Sequence, residues 1–332
     1  MIRYVLKRII YMVTIMLLVS VVGFVIIQLP PGDYVSSYLA RMESAGTSIV
    51  ASAEMVDALR KSYGLDQPLL IQYFKWMLNL LKGDLGRSLE WRKPVIELLA
   101  QRLPLTIAIS LLSLIFVYAL AIPIGIYSAT HQYSLGDSIF TAVGFMGLAI
   151  PNFILALILM IFFYQFFDFS VGGLFSIEYM DVPMSWAKLL DLLKHLPVPI
   201  IVIGTAGTAG LIRIMRGCLL DELRKQYVIA ARAKGLKERV LLLKYPIRVA
   251  INPIISTVGW ILPAIVSGET ITAVVLSLPT TGPLLLQALR SQDMYLAASI
   301  MMFLTYLTVV GTFISDLLLV WVDPRIRFSR IG

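Results

Sequence analysis

LPLTIAISLLSLIFVYALAIPIGIYSA, Leu103 to Ala129, contains no charged residue. A bilayer's hydrocarbon core takes about 20 apolar helical residues to cross, so this run is long enough to span it. Its apolar residues are continuous rather than alternating, which specifies a helix and not a barrel strand. Five further stretches qualify: Ile9–Leu29, Ile139–Phe167, Pro197–Met215, Ile251–Leu276 and Leu296–Val322. The fold predicted is therefore an all-α integral membrane protein with six transmembrane helices, both termini lying on one side. Composition agrees, since 58% of the 332 residues are hydrophobic and 14% are charged, against about 25% charged in a soluble domain.

Charge placement sets the orientation. Arg3, Lys7 and Arg8 precede the first span, and Arg325, Arg327 and Arg330 follow the last. Between the fourth and fifth spans, Arg213 to Arg248 holds ten Lys/Arg against Asp221, Glu222 and Glu238. Sixteen of the twenty-eight basic residues thus share one face, and the positive-inside bias puts that face in the cytoplasm. The net charge of +8 reads as topology and not as a nucleic-acid footprint. The first span has a basic start, but its apolar run exceeds a secretory signal's and no small-x-small cleavage site follows at once, which predicts an uncleaved anchor.

Residues 30–102 read as an external helical subdomain inserted after the first span. Pro30-Pro31-Gly32-Asp33 is a turn at the membrane exit. Ser52 is placed to cap a helix with Met55, Leu59 and Tyr63 on one face and Gly64 at its end. A second helix follows from about Gln67, with Leu70, Tyr73, Phe74, Met77 and Leu81 apolar and Gly83 as terminator. These helices either receive a partner or cap the pore. The second external loop, 168–195, is acidic at Asp168, Glu178 and Asp181. The third segment, 103–332, is a five-helix core carrying the cytoplasmic loop 217–250.

That loop reads Asp221-Glu222-Leu223-Arg224-Lys225-Gln226-Tyr227-Val228-Ile229-Ala230-Ala231-Arg232-Ala233-Lys234-Gly235-Leu236. The acidic pair is expected in the first turn of a helix and the basic residues near its end, as the helix dipole favours. Gly235 supplies a reversal, and a second short helix, Lys237–Tyr245, leads to Pro246 and Pro253. Ala230, Ala231 and Ala233 carry almost no side chain, so another protein's surface could approach closely. The reading is a short docking helix parallel to the membrane.

Ala230-Ala231-Arg232-Ala233-Lys234-Gly235-Leu236 resembles the coupling-loop motif of binding-protein-dependent ABC importer permeases. More narrowly, the chain resembles the B-type permease of the dipeptide/oligopeptide/nickel family. Leu29-Pro30-Pro31-Gly32-Asp33, Tyr63-Gly64-Leu65-Asp66-Gln67-Pro68 and Lys82-Gly83-Asp84-Leu85-Gly86-Arg87-Ser88 also match, as do Ser267-Gly268, Leu278-Pro279 and Asp323-Pro324-Arg325-Ile326-Arg327. Where the general motif begins with Glu, this chain has Ile229. The resemblance implies a second related permease subunit, two cytoplasmic ATPase subunits and an external substrate-binding protein. It also implies that Glu222, Tyr227 and Ala230 to Leu236 couple the ATPases to the membrane helices. ATP and Mg then belong to the partner subunits, and no cofactor, metal or nucleic acid to this chain. The location implied is a bacterial or archaeal cytoplasmic membrane.

Residues agree with a non-catalytic chain. Gly204, Gly207 and Gly210 are not followed by Lys-Ser/Thr, so they form no phosphate-binding loop and read as a helix-packing device. The single Cys218 excludes an internal disulfide, and two His exclude a His-rich metal centre. A stand-alone secondary transporter would need more buried charge on broken helices, and no protease or hydrolase motif supports an intramembrane enzyme. For the pathway, Glu269 and Thr270 either line the pore or pair with the partner permease. Met146, Asn152 and Met160 are lining or simple packing, and Pro151 is expected to kink the third span. Asp316 is expected to make a structural charge pair, and Arg213 and Arg216 to snorkel to headgroups. Ser267-Gly268-Glu269-Thr270-Ile271 looks more like a sugar-handling branch, while the resemblance to the family as a whole implies oligopeptides or dipeptides, so peptide is expected slightly ahead of oligosaccharide, with a nickel complex open.

Overall fold

The computed structural model describes residues 2–44, 53–180, 182–183, 185–268 and 270–322. Glu269, the Ser52 cap, Asp181 and the closing Asp323–Arg327 motif with Arg330 lie outside the described residues. The helices are α1 (Ile2–Gln28), α2 (Tyr34–Ser44), α3 (Ala53–Tyr63), α4 (Leu69–Leu81), α5 (Val95–Thr130), α6 (Leu135–Ala149), α7 (Asn152–Phe167) and α8 (Trp186–His195). They continue as α9 (Pro197–Leu223), α10 (Gln226–Ala233), α11 (Glu238–Lys244), α12 (Pro246–Gly268), α13 (Thr270–Val275), α14 (Thr281–Arg290) and α15 (Met294–Val322).

Among the described residues, five helical segments are long and apolar enough to cross a bilayer: Leu6–Gln28, Val95–Thr130, Trp186–Leu223, Glu238–Gly259 and Met294–Leu318. α6 and α7 pass the same test only as a pair, and that pair is bent by 105° at the break between them. The expected kink at Pro151 is thus a full break. Proline cannot donate to the helix ladder and pushes the residue before it out of the helical region. Ile150 accordingly has φ −87° and ψ 119°, and Asn152 starts a new helix.

One compact unit comprises residues 1–106 and 279–309. Its core joins Phe24 and Ile27 of α1, Trp76 of α4, Val95 and Leu99 of α5, and Leu296 and Ile300 of α15. A smaller cluster holds Tyr34, Val35 and Leu89, with Val56, Leu59 and Tyr63 of α3 packed on it. Met55, expected on that inner face, is exposed. Arg60 Nε reaches Asp33 Oδ2 at 2.7 Å and Ser36 donates to Asp33 Oδ1 from both its N–H and its hydroxyl. Burial pushes the Asp33 carboxyl up, but these bonds and the Arg60 charge more than offset it, so it titrates below its ordinary value. Buried Asp293 accepts from Ser88 Oγ and from the N–H of Glu90, and its other oxygen takes the N–H of Leu296, capping α15.

The other unit comprises residues 107–278 and 310–332. In it α9 packs against α12, α6 and α7. A Cβ on Gly204 would sit 2.7 Å from Phe116, so this position of the glycine series is required by close approach, whereas Gly210 has open space. Arg216 does not snorkel: its Nη2 meets Asp137 Oδ2 at 3.0 Å and its Nε meets Oδ1 at 3.1 Å. That carboxylate is 5% exposed, and a buried charge is held by its partner. The 168–195 segment also turns charge inward. Asp191 accepts from Ser176 N and Oγ at 2.7 Å each, and Lys188 donates to Val182 O at 2.6 Å.

Candidate functional site: the α10–α11 elbow

The chain leaves α9 at Leu223, turns through Arg224 and Lys225, and enters α10. Lys225 is extended, at φ −74° and ψ 146°, so the helix is interrupted there. Asp221 and Glu222 consequently end α9; they do not begin α10, whose first turn has no acidic residue. The expected dipole pairing at that position is corrected. Glu222 still touches α10, because Tyr227 donates its hydroxyl to Glu222 Oε2. Burial, with the Glu222 carboxylate beside it, pushes the Tyr227 phenol up.

Gly235 closes the turn. Its φ is +76°, a region that costs an L residue about 1–2 kcal/mol, and its N–H donates to Arg232 O at 3.0 Å. A Cβ there would meet nothing within 4 Å, so the glycine is demanded by backbone conformation alone. α11 then folds back on α10 around a core of Val228, Ala231 and Leu241, with Leu236 and Tyr245 packed against it. Arg232 spans the turn to Glu238 with two bonds, 2.7 and 3.2 Å. This bidentate geometry ties the two short helices together.

Ala231 therefore differs from its neighbours. It is 7% exposed and faces the elbow's own core, so the expectation that it presents bare backbone outward is corrected. Spacing explains this: 228 and 231 lie three apart on one helical face. Ala230, Arg232, Ala233 and Lys234 are exposed. So is Ile229, at 48%, where the general motif has Glu. Val240 and Leu243 of α11 add exposed apolar surface that the motif reading missed. Their signal was present as Val240-Leu241-Leu242-Leu243, an apolar run inside the most basic loop.

The pathway candidates are less concentrated. Met146 is 61% exposed on α6, Asn152 begins α7 beyond the break, and Thr270 begins α13, which packs on α7. Asp316 is half-buried on α15, next to Ser315, whose hydroxyl donates to Ile255 O at 3.1 Å. The structure thus gathers the elbow residues into one motif and spreads the pathway residues over three helices. No group of three or more potential metal ligands occurs among the described residues.

Residues 121–328 match the family described as the binding-protein-dependent transport system inner membrane component, and residues 1–110 match its N-terminal membrane component. The chain is 33% identical over 330 residues to the oligopeptide transport system permease protein AppB of Bacillus subtilis, covering 99% of this chain and all of that one. It is 30% identical over 332 residues to a putative peptide transport system permease protein of Brucella abortus, covering 98% and 99%. It is 28% identical over 328 residues to the nickel import system permease protein NikB of Staphylococcus aureus, covering 99% and 93%. With its helices long and apolar enough to cross a bilayer and its folded elbow of α10 and α11, the chain belongs to the family of binding-protein-dependent transport system inner membrane components.

Proposed function

We propose that this chain forms half of the translocation pathway of an ATP-driven importer, and that its cargo is peptide. The observation that carries the reading is the elbow. It is a pair of short helices packed on a core of their own, with small and apolar side chains exposed between basic ones. Such a surface suits docking to another protein, and the continuity of α9 with it offers a route for motion into the membrane helices. Two cytoplasmic ATPase subunits holding ATP and Mg would grip it from inside. A second related permease would complete the pore, and an external binding protein would deliver cargo near residues 30–102. Met146, Asn152 and Thr270 are the described residues assigned to the pathway, with Glu269 next to Thr270 in sequence.

Peptide leads because the relatives named above include an oligopeptide permease and a peptide permease. A nickel complex is the second reading, motivated by the name of the third relative. A thermal-shift screen of the cognate binding protein against peptides, oligosaccharides and nickel chelates separates them. Only the true ligand class raises its melting temperature, by binding linkage. A rise with oligosaccharide alone would overturn the peptide assignment. Purification of the chain without an associated ATPase pair, or unaided solute conduction, would overturn the importer.

A further inference from the structure

The surface of α4 divides into three strips. At about 100° per residue, Tyr73, Trp76, Met77 and Leu80 fall together and pack against the core shared with α1. Leu70, Phe74, Leu78 and Leu81 form a second strip, and they are 72%, 60%, 55% and 77% exposed. Between them on the far side lie Gln72, Lys75, Asn79 and Lys82, of which Lys75, Asn79 and Lys82 are exposed. An exposed row of large apolar residues on a helix placed outside the spans needs something to cover it.

The depth at which α4 sits supplies the covering. Tyr73 Oη and Ser20 Oγ are 2.8 Å apart, and Phe24 stacks on Trp76 with ring centroids at 6.2 Å. Ser20 lies eight residues inside the Gln28 end of α1, which is about 12 Å along the helix. Helices that lie in a membrane interface sink about 5–10 Å into the headgroup and acyl boundary. Around these contacts α1 itself offers lipid-facing side chains, with Leu18 at 61%, Val22 at 54% and Val25 at 53% exposed. Only 17% of the most apolar window of α1 is buried.

We infer that α4 is embedded in the outer leaflet, with Leu70, Phe74, Leu78 and Leu81 against acyl chains. Lys75 and Lys82, about a quarter-turn or more around the helix, reach to the headgroups by extending their stems. The apolar strip is thus continuous with the lipid face of α1, and the external segment is anchored in the bilayer at this point. This holds whatever the cargo is.

The test uses the assembled transporter reconstituted in liposomes. On a Cys218→Ser background, Phe74→Cys, Leu78→Cys and Lys75→Cys variants carry a nitroxide, and its collisions with oxygen and with a water-soluble nickel chelate are measured. All three positions are exposed, so the variants keep the packing of α4. The oxygen-to-nickel ratio should be several-fold higher at 74 and 78 than at 75. Free access of the nickel chelate to 74 and 78 would place the strip in water and overturn the inference. Shielding from both agents would mean a protein covers it, with the same consequence. Transport measured on the same liposomes reports separately on the importer assignment.

Discussion

The α10–α11 elbow and the α4 region are both short helices placed outside the spans, yet they are built oppositely. The elbow has a core of three buried residues and shows charged, small and scattered apolar side chains outward. α4 joins a large core with Phe24, Leu99 and Leu296, and still leaves a continuous apolar strip uncovered. The difference teaches what each surface meets. A mostly polar, rigid handle suits transient contact with a soluble motor, whereas a strip of Leu and Phe without charges suits a permanent apolar medium.

The largest expected effect tests the α4 side of this contrast. Trp76→Ala should destabilise the unit that holds α4 by about 3–5 kcal/mol, the range for deleting a buried aromatic, because Trp76 is 2% exposed. Phe74→Ala, on the outer strip, should leave the melting temperature in detergent nearly unchanged. Equal losses for the two would mean that the strip is not an outer surface.

On the elbow, Gly235→Pro should cost about 3 kcal/mol locally, through a fixed φ and a lost donor. Substrate-stimulated ATPase activity and transport should fall together while membrane insertion persists. Gly235→Ala should do less, by the about 1–2 kcal/mol strain of φ +76°. Normal coupling in the proline variant would show that the turn is dispensable.

A paired substitution then separates packing from docking. Ala231→Arg forces a charge into the elbow core and should unfold it by about 1–3 kcal/mol, seen as faster hydrogen exchange in 226–244. Ala230→Arg, on the exposed face, should leave exchange unchanged and weaken only the ATPase association. If both variants behave alike, the two alanines do not have separate roles.

The smallest effect is acidic. Asp33 has its carboxyl held below its ordinary value of 3.8, so its contribution is fully present above that value and is lost as pH falls through the depressed one. Exchange protection of α2 and α3 should therefore drop only in strong acid, by less than about 1 kcal/mol for a partly exposed pair. Arg60→Gln should weaken the dependence without abolishing it, because the Ser36 N–H and hydroxyl still bond the carboxylate. An unchanged acid profile in that variant would assign the effect to another group.

Much of this was legible beforehand. Spans one, two, four and six were placed within a few residues of their apolar cores, although the helices themselves run further, to Ile2, Val95 and Leu223. Span five, expected at Ile251–Leu276, is displaced: the segment apolar and long enough to cross is Glu238–Gly259, and the expected range takes in both α12 and α13. Gly235 was legible as a turn because glycine is the residue that tolerates positive φ. Three features were not. The acidic pair Asp221-Glu222 was assigned to the wrong helix, because nothing in composition marks the break at Lys225. The apolar residues named for α4 divide between two faces: Tyr73 and Met77 turn inward with Trp76 and Leu80, while Leu70, Phe74 and Leu81 stay exposed. Arg216 was given to headgroups because its carboxylate partner lies 79 residues away in the chain.

The amino-acid sequence alone determined that the chain spans a membrane by helices, which loop is the most basic, and where the stretch Ala230–Leu236 that resembles the family's motif falls. These depend on hydropathy, charge and a short local motif, all of them properties of neighbours along the chain. The tertiary structure alone decided that the third span breaks by 105°, that Ala231 is core, that Asp137 holds Arg216, and which strip of α4 stays uncovered. Each of these is set by what packs beside a residue in space, and helical periodicity is indifferent to which of two apolar faces finds a partner.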